Sequence, residues 1–598
     1  MSAGSRSRYL LSLLVAAVLF ASAARRSPIA GASAGSAKAP VARATLRVGM
    51  WTLWRDREVV VAPGGRDGKI VLRTCAQCAA FSVTGSIDIR ADGNALWIVE
   101  RDKKTTAPGI WIEGTNRLTA HRESVLLPYA ASITARGGVL AIAVTMPVES
   151  YVERVVASES GPADSAESLK ALATVVRTFA LHEAHGHADF DVCDSTHCQL
   201  LHWSDIGNRR KTAHVATLAT AGETLWFHGG RALAYFHKDC GGRTASPTEI
   251  WPKASATPYL PSQPDRFCSA SGSKEWASEL TLNEISAALA RAGLAKPGWL
   301  QLAIEKRGES GRAVTLRLDS NTISAEAFVL AVGESLGWSK IPSTWFEVSR
   351  QGDRFLFHGR GWGHGVGLCQ KGAATMAAAG RTREQILAQY FPGAQTADEA
   401  TGRAWKRFAG DGFTLESLDA ADAAYLTELN LARHEATERS GLHGVAQITI
   451  RAFASTEAFR DATLAPGWVA AFTEGNWIAT QPLHTLAARR LLSDTLRHEF
   501  LHALIEAEAG PNTPLWLREG LVETWSEPDA KAKAGPALKI DAVDQALVHA
   551  TTEAESEAAH RAAGAVAALL LKRYGRAQVL AWLHSGLPSD AVAFLGQR

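Results

Sequence analysis

Across 598 residues the chain carries only 7 cysteines, 4 methionines and 8 tyrosines, and no strong charge of either sign. Its 63 basic and 60 acidic residues leave a formal net charge of +3. A nucleic-acid binder shows a basic block with aromatics interleaved, and none is present, so nucleic acid is left out as a partner. Beyond the first two dozen residues no apolar run approaches the about 20 residues that a membrane span needs. There is no internal repeat, which excludes solenoids and propellers. Hydrophobic content of 46% and charged content of 21% are those of a soluble globular protein. The length is too great for one core.

The first residues carry an address. Arg6 and Arg8 precede the apolar run Leu10 to Ala21, and Ala21-Ser22-Ala23 has the small-x-small form of a cleavage site. Residues 1–23 therefore read as a secretory signal peptide, and export to the periplasm or cell surface follows. Residues 24–45, rich in Ala, Ser, Gly and Pro, read as a flexible tether. Export permits disulfides, and an odd cysteine count leaves one unpaired unless some bind metal.

From Leu46 to Val144 short β-type runs alternate with Gly, Asp and Asn, as in Val59-Val60-Val61-Ala62 and Leu96-Trp97-Ile98-Val99. Helices follow. Pro147 opens one with Val148, Val152, Val155 and Val156 on one face, and Ser165 caps another. Thr281-x-x-Glu284 and Thr382-x-x-Gln385 are capping boxes. Residues 397–412 are polar and read as a linker, and a mainly helical unit with a small sheet fills 413–598. The fold class expected is α+β.

Glu159 closes the Pro147 helix on or near its apolar face. A carboxyl there loses hydration, its charged form is disfavoured, and it can stay protonated near neutrality. Such a group suits general acid catalysis at a glycosidic oxygen, although a helix-end carboxylate bonded to backbone fits the same spacing. His187, Cys193, His197 and Cys198 supply two imidazoles and two thiols, as a closed structural zinc site requires. A Cys193–Cys198 disulfide with two surface histidines is the alternative. Cys240 can pair with Cys268, and Cys75 with Cys78. The run Gly359 to Gly367 allows close backbone approach, lacks the Lys-Ser/Thr of a phosphate loop, and carries Trp362 for stacking on a sugar and His364 for proton transfer.

Several of these segments resemble the stage II sporulation protein D family (SpoIID/LytB, amidase-enhancer-like). They are Glu149-Ser150-Tyr151-Val152 through Glu159, Val176-Arg177-Thr178-Phe179-Ala180, Cys193 to Gln199, Cys240-Gly241-Gly242-Arg243-Thr244, and Gly361 to Ala373 with Gln389 to Gly393. The resemblance covers about residues 46–396. It implies a lytic transglycosylase acting on peptidoglycan strands stripped of stem peptides. It puts the catalytic acid on Glu159 and the zinc cluster on His187, Cys193, His197 and Cys198, with Arg177, Trp362, His364 and Gln370 lining the groove. Cys369 departs from the family, which often has a Ser-like residue there. Lytic cleavage needs one acid rather than two, because the sugar's own hydroxyl attacks; Asp189, Asp191 and Asp194 stay open as a second carboxylate.

A second pattern lies at His498-Glu499-Phe500-Leu501-His502. Four-residue spacing on a helix sets both imidazoles on one face, about 6 Å apart, for one zinc. Glu499 then serves as general base. Glu519, in Trp516-Leu517-Arg518-Glu519-Gly520, is the third ligand, with Glu523 its rival one turn on. This text resembles the peptidase MA-like gluzincin superfamily over about 415–598, which implies a zinc metallopeptidase. Zinc is thus expected at two sites, one structural and one catalytic. The partners expected are glycan strands and a wall amidase, with no membrane span after signal cleavage. The rivals are a non-catalytic wall-binding amidase enhancer and a zinc protease delivered by an inactive front domain.

Overall fold

The computed structural model describes residues 45–596 except 66, 101–102, 122, 183–185, 205–206, 445–446 and 527–539. The expected signal peptide, and the expected tether up to residue 44, lie outside the described residues. Among those described, no helix is long and apolar enough to cross a membrane.

Alternating sequence builds the front of the molecule. Strands such as Thr45–Met50, Lys69–Arg73 and Ala130–Arg136 bury every second side chain, the period a half-buried strand requires. Seven strands form one sheet, in the order Val192–Cys193, Thr45–Met50, Val139–Pro147, Ala130–Arg136, Gly109–Glu113, Lys69–Arg73, Phe81–Thr84. Six more, from Glu123–Leu127 to Lys103–Ala107, form a second sheet. Val48, Ile133 and Val144 of the first share one core with Val61, Ile89 and Leu118 of the second.

The nine-residue strand Val139–Pro147 runs straight into the helix Val148–Glu159. Pro147 presets the backbone for a first turn and has no N–H to leave unpaired. Ser165 caps the next helix, Ala166–Ala180, in a reciprocal box with Ser168. Glu149 and Arg177 lock the two helices together: Nε donates to Oε1 at 2.8 Å and Nη2 to Oε2 at 2.5 Å, with Arg177 fully buried.

Residues 275–360 form a lobe with a core of its own. Two three-stranded sheets and the helices Leu282–Arg291 and Ala325–Leu336 enclose Leu280, Ile285, Phe328, Phe346 and Phe357. The expectation of one continuous unit over 46–396 missed this separate core. Its last strand, Arg354–Arg360, delivers the chain into the glycine-rich run.

The expected linker also needs correction. The strand Gln395–Asp398 overlaps the start of 397–412 and reaches back to pair with Glu223–Phe227, while Lys406–Ala409, inside it, reaches forward to pair with Phe413–Ser417. That second pairing starts a five-stranded mixed sheet ordered Lys406–Ala409, Phe413–Ser417, Ile448–Ala452, Trp477–Thr480, Ala471–Glu474. Helices Leu426–Ser440, Leu492–Glu508, Leu515–Ser526 and Glu553–Tyr574 contribute to the same core as its strands.

Front and back are joined by buried material rather than by a tether. Leu218 and Ala221 pack with Phe453, Phe459 and Trp477 in one apolar cluster. Beside it Arg451, 1% exposed, bonds Glu223 Oε1 and Glu416 Oε2, each at 2.5 Å, and Ala221 O at 3.0 Å. Arg383 completes Glu223 at 2.6 Å and Arg407 completes Glu416 at 3.0 Å. Trp405 lies against the Arg451 guanidinium, 4.7 Å from its ring centre. Removing one member of such a buried network strands its partners' charges. Arg451→Met is expected to cost about 3–5 kcal/mol. Urea unfolding followed by tryptophan fluorescence checks it: the midpoint falls, and an unchanged midpoint would show that the network contributes nothing.

Candidate functional site

The Val148–Glu159 helix ends where Ser160 N–H bonds back to Val156 O. Its last residue, Glu159, is partly buried at the end of an otherwise apolar helix face. Burial pushes its carboxyl up to about 7, against the opposing pull of Lys238, of Gln370 and of the Leu200 N–H. The Gln370 amide also donates to the Glu159 carbonyl at 3.4 Å. The group is therefore half-protonated near neutrality and wired to the segment that follows the glycine run.

That run crosses itself on tight turns. Gly361, Gly363, Gly365 and Gly367 all have φ between 73° and 94°. A Cβ on Gly365 would strike Arg312, and one on Gly367 the Tyr235 carbonyl, so only glycine passes there. Paired backbone bonds with Asp239 hold Trp362, at 2.8 and 3.0 Å. Lys274 Nζ stands 4.5 Å above its indole and Lys238 5.7 Å. His364 is walled by Tyr235, Trp251 and His237, and its Nδ1 accepts from Val366 N–H at 3.0 Å. Burial and then Arg312 press that imidazole down to about 3, so near neutrality the ring expected to serve proton transfer is uncharged.

Arg177 also departs from expectation. It was expected to line the groove, but it is fully buried in its pair with Glu149 and bonds the carbonyls of Glu223 and Thr217. It positions the helix that carries Glu159. The three aspartates held open as second carboxylates have structural partners. Asp189 pairs with Arg136 at 2.8 Å, Asp191 accepts from Arg47 N–H at 2.8 Å, and Asp194 accepts from Trp51, Thr52 and Trp203.

His187, Cys193, His197 and Cys198 converge, with one ligand atom from each lying within 4.8 Å of the others. His187 Nε2 is 3.1 Å from Cys198 Sγ, and His197 Nδ1 is 3.8 and 3.7 Å from the two sulfurs. Tetrahedral zinc with these bond lengths sets neighbouring ligands about 3.3–3.8 Å apart, so the residues fit the ion. The alternative disulfide is absent, for both thiols are free. Cys75 and Cys78 are bonded, as expected. Cys240 and Cys268 are not: each is a free thiol, turned to Asp265 and Asp239 respectively, with Cys369 against them.

With this geometry in view, the comparisons with known proteins place the front of the chain. The stage II sporulation protein family (SpoIID) matches residues 136–227, the span holding Glu159 and the His/Cys cluster. An uncharacterised protein of Brachyspira hyodysenteriae is 30% identical over 254 residues, 42% of this chain and 67% of its own length. Residues 136–227 of this chain are a SpoIID domain. Stage II sporulation protein D of Bacillus subtilis is 28% identical over 271 residues, covering 42% of this chain and 75% of that protein. The amidase enhancer of the same organism is 25% identical over 292 residues, 40% of this chain and 39% of the enhancer. A domain of unknown function (DUF8618) matches residues 249–367, which take in the separate lobe and the glycine run of this chain.

A second cluster lies on the helix Leu492–Glu508. His498 and His502 bring their Nε2 atoms to 3.1 Å, and Glu519 Oε2 stands 3.6 Å from His502 Nε2. His498 Nδ1 is held by Ser526 Oγ at 3.1 Å, which aims Nε2 at the cluster. Burial, and then His502, press His498 down to about 3, leaving a free lone pair. Burial opposes the charge on Glu519, yet His502, His560 and His498 hold it at about 2. Two imidazoles and a carboxylate are a donor set that zinc takes. Glu499 is buried, its carboxyl raised by that burial, and its Oε2 accepts from Thr473 Oγ1 at 2.5 Å. The sequence reading missed His560, 3.4 Å from Glu519; it stands alone on the helix Glu553–Tyr574 with no motif around it. It also missed Lys238, whose only signal was its place between His237 and Asp239.

Lys238 holds down a carboxyl that burial raises. Lys238→Met is therefore expected to move the Glu159 titration upward from about 7. The protonated-carboxyl infrared band, assigned by its loss in Glu159→Gln, measures it; a downward or zero movement refutes the stated cause.

Proposed function

We propose that the protein is an exported peptidoglycan-remodelling enzyme. On this reading its front site cuts stripped glycan strands by lytic transglycosylation, and its rear site hydrolyses peptide bonds with zinc. The observation that carries the first part is a single carboxyl, Glu159, held at about 7 beside Gln370 and Lys238. Below that pH it holds a proton to give; above it, it is a base.

The steps balance on that one group. Glu159 gives its proton to the oxygen linking MurNAc to GlcNAc, and the bond from the MurNAc anomeric carbon to that oxygen breaks. The carboxylate then takes the proton of the sugar's C6 hydroxyl, whose oxygen joins the anomeric carbon. The product is a 1,6-anhydro end, no water is consumed, and Glu159 is restored. Trp362, with Lys238 and Lys274 over its ring, offers a flat face for a sugar. His187, Cys193, His197 and Cys198 would hold zinc, which would pin the loop that returns Leu200 to Glu159. The amidase enhancer among the relatives supports an amidase as partner.

In the rear site His498, His502 and Glu519 would hold the ion. Zinc there supplies a Lewis acid for a peptide carbonyl. Glu499 is the group that moves the proton, poised by burial and by Thr473. His560 bonds Glu519 and fixes its orientation. Thr473 belongs to Ala471–Glu474, the edge strand of its sheet, whose outer backbone groups can pair with an extended peptide.

Digestion of denuded glycan followed by muropeptide analysis tests the front site. Glu159→Gln is expected to lower the yield of anhydro ends by about 10²–10⁴-fold. The wild-type rate falls as pH rises through about 7, since the donor form is then lost. Undiminished cleavage by Glu159→Gln would reject the assignment, and unchanged amidase stimulation by that inactive variant would show a second, binding role. Glu499→Gln is expected to abolish peptide cleavage and spare glycan cleavage; loss of neither would remove the peptidase.

A further inference from the structure

We propose that Cys240, Cys268, Cys369 and Asp265 form a closed binding site for a thiophilic divalent cation of the zinc class. The four come from three separate stretches of chain, yet one ligand atom from each lies within 4.8 Å of all the others. All four are essentially inaccessible, at 0–1% exposure. Cys240 Sγ is 3.3 Å from Asp265 Oδ2. Three thiolates and a carboxylate make a tetrahedral donor set with no open position, which describes a structural rather than a catalytic centre.

The surroundings are those of an anionic centre. Backbone N–H groups point at the sulfurs: Cys240 and Gly372 to Cys369 Sγ, at 3.3 and 3.4 Å, and Gly242 to Cys240 Sγ at 3.4 Å. Tyr390 donates to Asp265 Oδ2 at 2.8 Å, and the N–H groups of Phe267 and Cys268 hold its Oδ1. A Cβ on Gly372 would collide with both Tyr390 and Asp265, so that glycine lets a helix end close on the cluster. Arg312 is the independent sign. It is fully buried, it reaches the Cys240 carbonyl at 2.9 Å and the Gly363 carbonyl at 3.1 Å, and its Nε has no partner. A buried guanidinium against two carbonyls needs negative charge nearby; the Glu326 carboxyl faces it, and thiolates at Cys240 and Cys369 add to that charge.

Loading the site releases three thiol protons to solvent and leaves a net negative complex. Cys268 gives up the proton it now shares with Asp239 at 3.1 Å. Asp239 keeps its other partners, the N–H groups of Gly241 and Lys274 and the Lys371 ammonium. The consequence for the fold is direct. Cys369 immediately precedes Gln370, so the cation would fix the residue that touches Glu159 to the Cys240 turn and to the Arg266–Ala270 helix.

Cobalt(II), loaded into the full-length chain with its Cys75–Cys78 disulfide intact, reports sulfur ligands through its thiolate charge-transfer band, which nitrogen and oxygen ligands do not give. In a Cys193→Ser/Cys198→Ser background the band is expected to persist, and to vanish when Cys240, Cys268 and Cys369 are also made Ser. If that background does not fold, the unaltered chain serves: its band is expected to fall by about three fifths on the three-site replacement alone. Absence of the band from the background, a fall of less than a tenth in the unaltered chain, or peptide mapping that finds Cys240 joined to Cys268, overturns the proposal.

Discussion

The Glu149–Arg177 pair is the constraint from which the front site follows. It is buried, bidentate and shared between the two helices that flank the site. Taking both charges out of water carries a desolvation cost that only close geometry offsets, and the bonds to Gly222, Thr217 and Glu223 supply the rest of that geometry. With its first turn fixed in this way, the helix has no freedom to rotate. Glu159, ten residues further on, is then held toward Lys238 and Gln370. A carboxyl on a helix free to roll would find water and return to an ordinary acid.

Much of this could be read from residue order, because local rules governed it. Thr281-x-x-Glu284 and Thr382-x-x-Gln385 both form their capping boxes, and Leu96 to Val99 lies within the strand Ala95–Glu100. His187, Cys193, His197 and Cys198 gather because eleven residues of chain bend back on themselves. What failed depended on distant partners. A buried arginine and one that greets a ligand have the same sequence signature, so Arg177 was placed in the groove. The polar stretch 397–412 gave no sign that its two ends would be taken up by sheets on either side. Cys240 and Cys268 suggested a pair, since nothing local announces that Cys369, about a hundred residues on, joins them and Asp265 in one cluster.

The rear cluster shows the same division. The four-residue spacing of His498 and His502 reads directly off one helix, and Glu519 off the next. His560 reaches Glu519 from a helix that carries no motif, and only the packing of Glu553–Tyr574 against Leu515–Ser526 brings it there. The family match covers the front of the chain; the proposed chemistry at the rear stands on this geometry.

The Arg451 network changes what it means for one chain to carry two centres. Enzymes strung on a floppy connector sample many separations and cut independently. Here Glu223 and Arg383 on one side and Glu416 and Arg407 on the other are soldered through a single guanidinium, under Trp405. The molecule is in effect a caliper with its jaws set. On the proposed reading, a polymer engaged at one centre would be presented to the other at one span only, so spacing along the polymer, and not just local chemistry, would become a criterion for what both can process.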